Sequence, residues 1–318
     1  STIASGSTLS IQARNTAQDA TSKTIAGMSE DGTLSDDEYD LTITSQNKQS
    51  NQGQTIATGN LTLVGSELDL NKATLQAKNV QLSANTDNID LSHGKVYADN
   101  KATLTSAKNT NVSYGEVSAD QIDILASNID NTQGSLYADS TISLNQANSN
   151  GALTNNSGTI RSKGLLDIGF DTIQNVGEES LLLSDEAITI TAVQVTNSDQ
   201  LNGQNFTGGI QAPTITINAK TLDNNQGYIS GNTSDLLVSQ NLQNTQGYIY
   251  GGESLNIGSE VGNAAQRLVV SNTAGELKSD KNIIVSADQF SNTKGSVISQ
   301  GDASIKLKQD FTHQAGDN

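Results

Sequence analysis

The stretch Leu222-Asp223-Asn224-Asn225-Gln226-Gly227 is followed 20 residues later by Leu242-Gln243-Asn244-Thr245-Gln246-Gly247. Both spell an apolar residue, any residue, Asn, two more residues and Gly. The same phrase runs from Ile129 to Gly134 and from Phe290 to Gly295, with looser copies at Leu153 to Gly158 and Val270 to Gly275. Self-similarity at such a period marks a solenoid, in which each unit buries its apolar side only against its neighbours.

Measured from each Gly, the apolar residues fall at matching offsets. Gly134 is followed by Leu136, Ala138, Ile142 and Leu144, and Gly247 by Ile249, Gly251, Leu255 and Ile257. Gly115 and Gly295 repeat the order with a small deletion or insertion between the pairs. This alternation predicts two short strands per coil, each with one face buried. A turn such as Ala138-Asp139-Ser140 separates them. Strands this short must pair with equivalents in the coils above and below, about 4.8 Å away. The chain therefore reads as all-β, a right-handed parallel β-helix (solenoid) of roughly 14 coils of about 20 residues. Residues 1–318 form a single β-helix in this reading, a rod on the order of 65–70 Å long.

Small residues at the fourth offset, among them Ala98, Ala119, Ala138, Ser162, Gly231, Gly251 and Ser279, predict a tight inner corner. Asn131, Asn155, Asn224, Asn244, Asn272 and Asn292 are expected at a bend, their amides stacked in a ladder. The Gly that follows is expected where φ is positive. Three stretches break the rhythm and are expected as extra-helical loops: about 15–40, 198–208 and 258–267.

Composition narrows the function. There is no Cys or Trp, one Pro and 3% aromatic residues, yet Leu, Ile and Val recur from end to end, so the chain is ordered around a narrow aliphatic core. With 17 Lys+Arg against 34 Asp+Glu, the net charge of −17 leaves no basic patch for phosphates, which disfavours nucleic acid and anionic membrane surfaces. The longest apolar runs, such as Leu181-Leu182-Leu183, are too short for membrane insertion. The chain begins and ends inside the pattern and reads as a segment of something longer.

The alternation Ile56-Ala57-Thr58-Gly59-Asn60-Leu61-Thr62-Leu63 and the unit Leu222 to Gly231 resemble the filamentous haemagglutinin repeats. These belong to large bacterial exoproteins exported by two-partner secretion, including filamentous adhesins and contact-dependent inhibition effectors of the CdiA type. The resemblance covers about residues 41 to 310, together with Ile3 to Ile11. It implies a secreted or cell-surface filament, with an outer-membrane transporter as partner during export and a cell-surface receptor, protein or glycan, as partner afterwards. Neither the amino-terminal secretion domain nor a carboxy-terminal toxin is evident, so shaft or receptor-binding region is the expectation.

Parallel β-helices also carry polysaccharide lyases and hydrolases, which need clustered carboxylates with a nearby base or cation. Here the only His are His93 and His313, and the only Arg are Arg14, Arg161 and Arg267. Zinc spacings, the P-loop and the nucleophile elbow are absent. The expectation is no enzyme, no cofactor and no metal site. Two acidic groups qualify it. Asp99, Asp120 and Asp139 share the fifth offset and would stack as a column, and Glu30 to Asp40 holds six acids without a base. Both read as solvated, with calcium as the rival reading.

Aromatic residues supply the candidate surface. Tyr228 and Tyr248 share the first offset of adjacent coils and Tyr250 lies two residues further, all expected to point outward. They are the candidate binding residues, against the plainer reading that stacked Tyr support strand pairing. Tyr97 and Tyr137 make a sparser pair. The leading reading is a non-catalytic shaft or receptor-binding segment used in adhesion or contact-dependent inhibition. The alternatives are a glycan- or calcium-binding adhesive module and a polysaccharide lyase or hydrolase.

Overall fold

Each turn of the chain is built from three short parallel strands, one more than the alternation predicts. A computed structural model describes residues 1–201, 206–258 and 267–315, and no helix occurs among them. The expected excursions at 198–208 and 258–267 lie partly outside the described residues, at 202–205 and 259–266. There are about 14 turns, all strand pairs between them being parallel, and the chain divides into two units, Ser1–Thr154 and Asn155–Asn318.

In the first unit, the first face is formed by residues 2–5, 23–26, 54–57, 74–77, 95–98, 116–119 and 135–138. The second face follows after a tight corner, as 79–84, 101–106, 121–126 and 141–146 show. The third is only two or three residues long in most turns: 67–69, 89–90, 109–111 and 128–130. One inward residue per third-face strand is too few to register as a period, which hid this face in the sequence. Leu68, Ile89 and Ile129 nonetheless close the core there, alongside Val96, Val117 and Leu136 on the first face and Ile122, Ile124 and Leu104 on the second, all essentially fully buried.

The second unit repeats the plan. Its first face comprises 159–162, 181–184, 209–212, 228–231, 248–251, 276–279 and 296–299. Leu222, Leu242, Val270 and Phe290 are the inward residues of its third face, each 0–1% exposed. The small fourth-offset residues do line a tight corner: a Cβ on Gly251 would lie 2.0 Å from Ser254 O.

The two units differ in the slot just after the third face. In the first unit Leu70, Leu91 and Val112 fill it in three successive turns, with Asn51 before them and Asn131 after, all buried. In the second the slot carries a continuous amide ladder. Asn155 Nδ2 donates to Asn175 Oδ1 at 2.7 Å, Asn175 to Asn197 at 2.8 Å, Asn197 to Asn224 at 2.8 Å and Asn224 to Asn244 at 2.8 Å. Asn244 then donates to Asn272 at 2.8 Å and Asn272 to Asn292 at 2.7 Å. His313 occupies the same slot in the next turn, 3.1 Å from Asn292 Nδ2 at its Nδ1. Most rungs also donate to the carbonyl of the phrase Gly, as Asn244 does to Gly247 O at 3.1 Å. A buried amide is thus satisfied on both sides, which is what permits a polar column inside a dry core.

The phrase Gly corrects the sequence expectation. Positive φ falls on the residue before it: Gln133 (53°), Gln226 (51°), Gln246 (54°), Ala274 (52°) and Lys294 (59°). The Gly is required by close approach instead. A Cβ on Gly227 would meet Asn197 O at 2.0 Å, and one on Gly247 would meet Asn224 O at 2.1 Å and Asn244 Oδ1 at 2.3 Å.

The stretch 15–40 is likewise not one loop. Thr16–Gln18 is the third face of the first turn and pairs with Gln49–Asn51, while Lys23–Ala26 lies between Thr2–Ser5 and Gln54–Ala57. Their polar composition concealed them. The excursion proper runs from Gly27 to Asp40 and carries an antiparallel bridge, Met28 to Leu34.

Candidate functional site

Strand alternation puts the outward residues of the first face in two columns, set by the first and third offsets. In the second unit these residues are half-buried while their neighbours are buried, as in Tyr228-Ile229-Ser230-Gly231 and Tyr248-Ile249-Tyr250-Gly251. Tyr228 pairs with Tyr248 in register, and their rings stack at 5.5 Å and 20°. Tyr248 and Tyr250 follow at 6.3 Å and 23°. The structure therefore brings all three candidate tyrosines together.

It adds Phe206, which belongs to the expected excursion at 198–208. Its ring lies 4.7 Å from Tyr228 and 5.8 Å from Tyr248, and it remains 48% exposed. Gly209, at the outward position beside Tyr228, has no side chain to compete for that space; its φ is +97° and a Cβ would sit 2.1 Å from Tyr228 O. The rings form one continuous aromatic surface of the kind enriched at contact sites, an apolar body with polar tips.

Carboxylates border it. Tyr250 donates its hydroxyl to Asp280 Oδ2 at 2.6 Å, and this bond raises the Tyr250 pKa above the ordinary phenol value. Burial, followed by the Glu276 carboxylate, pushes Tyr248 up to about 12. Next to these rings lies an open trough of about 510 Å³, lined by Leu183, Gln211, Pro213, Ser230, Asn232 and Tyr250 among others.

The remaining sequence candidates do not converge. In the first unit Tyr97 donates to Glu116 at 3.0 Å and is raised chiefly by burial, while Tyr137 donates to Asp139 at 3.0 Å. The expected column of Asp99, Asp120 and Asp139 falls where the strand register breaks, two residues of one turn facing one of the other between Ala119 and Gln121. The regular stack therefore fails at that corner. His93 has φ of 58° and stacks on Tyr114 at 5.0 Å. In the acidic excursion Asp31 accepts from Thr33 N and Oγ1, which lowers its pKa, and Glu38 pairs with Lys78. Among the described residues, no group of three or more His, Asp or Glu is placed to hold a metal ion.

Fold and repeat together define a class: a segment of a parallel β-solenoid. The particular similarity is to a protein of Yersinia pestis named Toxin CdiA, 26% identical over 314 residues that make up 96% of this chain. The chain spans 9% of the length of that relative. No family model matches the chain, and no solved structure matches it. The similarity and the stacked turns fit a repeat fragment of the CdiA and filamentous haemagglutinin type. No helix among the described residues is long and apolar enough to cross a membrane.

Proposed function

We propose that this chain is a non-catalytic segment of a secreted bacterial surface protein of the CdiA type. It acts as a stiff shaft that also touches a receptor on a host or neighbouring bacterial cell. The observation that supports this most is the similarity along 96% of the chain to a protein named Toxin CdiA, together with turns that stack without interruption in each unit. Stacked turns make a long surface, not an enclosed site, and such a surface presents contacts at a distance. The contact surface in this reading is Tyr228, Tyr248 and Tyr250 with Phe206. The lack of Cys suits export of an unfolded chain through an outer-membrane transporter, the second partner in this reading.

The test is binding of the purified chain to bacterial and host cells, wild type against a Tyr228→Ser, Tyr248→Ser, Tyr250→Ser variant. Wild type should bind and the variant should bind at least tenfold more weakly, with equal circular dichroism. Absence of wild-type binding to any cell tested overturns the receptor reading, and equal binding by both chains removes the tyrosines from it.

A further inference from the structure

The trough beside the aromatic surface has a composition of its own. On the third-offset column Leu183 pairs with Gln211, Gln211 with Ser230 and Ser230 with Tyr250. Three steps of about 4.8 Å separate Leu183 from Tyr250, a span of about 14 Å. Leu183 and Tyr250 stand at the ends, with Ser230 and Gln211 between them, Gln211 Nε2 donating to Gly208 O at 2.7 Å, and these residues with Gly231 and Gly252 line the hollow of about 510 Å³. Asp185 and Asn232 border it at the corner. Arg161 sits one step beyond Leu183, 3.7 Å from Asp185 Oδ1, and its buried Nε has no acceptor in the protein.

Several ligand classes fit poorly. These strands are paired with a neighbour on each side, so no peptide can join as an added strand. A net charge of −17, with Asp185 at the rim, repels phosphate, sulfate and nucleic acid. What remains is one apolar wall at each end with amide, hydroxyl and carboxylate groups between. A pyranose ring presents the complementary pattern: C–H faces that pack on aromatic or aliphatic walls and hydroxyls that pair with carboxylates and amides.

We infer that this trough binds an uncharged pyranose unit of a cell-surface glycan, with Tyr250 and Leu183 as walls and Gln211, Asp185 and Asn232 as hydrogen-bonding groups. The inference rests on the receptor reading above and specifies its ligand class. An uncharged sugar leaves the Asp185–Arg161 pair undisturbed.

The experiment titrates the whole chain against maltohexaose, chitotetraose and mannotetraose, with sialyllactose as the anionic arm and tetramethylammonium chloride as the cationic arm. At least one neutral oligosaccharide should bind, and sialyllactose should not. Gln211→Ala with Tyr250→Ala should weaken that binding tenfold or more. Asn232→Ala, at an exposed corner, should weaken it about threefold to tenfold and serves should the double variant misfold. Silence from all three neutral sugars, binding unaffected by the variants, or binding of tetramethylammonium alone overturns the inference. Cell binding that persists while the sugars are silent overturns only the sugar; failure of cell binding overturns the receptor reading beneath it.

Discussion

Asn244 Nδ2 donates to Asn272 Oδ1 at 2.8 Å across 28 residues of chain, and Asn244 Oδ1 receives Asn224 Nδ2 at the same distance. Asn244→Ala removes both rungs and leaves Asn272 Oδ1 buried without its donor. A buried polar atom deprived of its partner costs about 1–3 kcal/mol, so a loss of about 2–3 kcal/mol is expected by denaturant unfolding. Asn244→Leu should be no better, although Leu91 fills the same slot of the first unit at 1% exposure. A change below about 0.5 kcal/mol in both variants would show that the ladder contributes nothing net.

Gly247 and Gln246 should respond in opposite directions. A Cβ at Gly247 collides with Asn224 O at 2.1 Å, so Gly247→Ala should shift two stacked turns and lower the melting temperature clearly. Gln246 has φ of 54°, a conformation that costs a side-chain-bearing residue about 1–2 kcal/mol, so Gln246→Gly should be neutral or stabilising. Tolerance of Gly247→Ala with damage from Gln246→Gly would reverse the assignment.

Tyr248 sets an alkaline limit. Its folded pKa is raised from 10.0 to about 12, so the folded state holds the phenol proton more tightly than the unfolded chain does. Its contribution is fully present below pH 10 and is lost as pH rises from 10 to about 12. Phenolate absorbance should show a late component near pH 12 that vanishes in Tyr248→Phe. An unaltered upper limb in that variant would place Tyr248 among ordinary phenols.

The amino-terminal stretch should divide at Gly27. Removing the tip 29–33, beyond the Met28 to Leu34 bridge, should leave the melting temperature within a few degrees of wild type. Ile25→Ala, in the strand just before it and 3% exposed, should cost about 2–4 kcal/mol. If the tip proved essential and Ile25 dispensable, the division would be wrong.

Much of this fold was readable because the phrase fixes a register. The inward offsets and five of the ladder asparagines follow from counting, and the expected Asn131 lies buried in the same slot of the first unit. Asn175 and Asn197 escaped because their turns are spelled differently: Gly177 comes two residues after Asn175 and takes the positive φ itself, at 112°, and Gln200 stands where a Gly would follow Asn197. His313 escaped because an imidazole stands in for the amide. The role of the phrase Gly was misassigned because the pattern marks a position without saying whether torsion or proximity selects it. At the candidate site, the tyrosines were visible from their shared offset, whereas no local periodicity encodes the place of Phe206. The trough depends on which side chains follow one another down a column, which becomes apparent only once the strands are in register.

The Asn column of the second unit and the aliphatic run Leu70, Leu91 and Val112 of the first make the turns non-equivalent as modules. A turn duplicated within Asn155–Asn318 brings its own donor and acceptor, so the chain of amides closes around it and nothing is left unmatched. The same turn transplanted between those of Leu70 and Leu91 would carry an amide between two side chains that offer it neither. Lengthening of such a filament by gene duplication is therefore nearly neutral inside a column and penalised across its border. The lineage of the turns should be recorded in which residue fills this one slot.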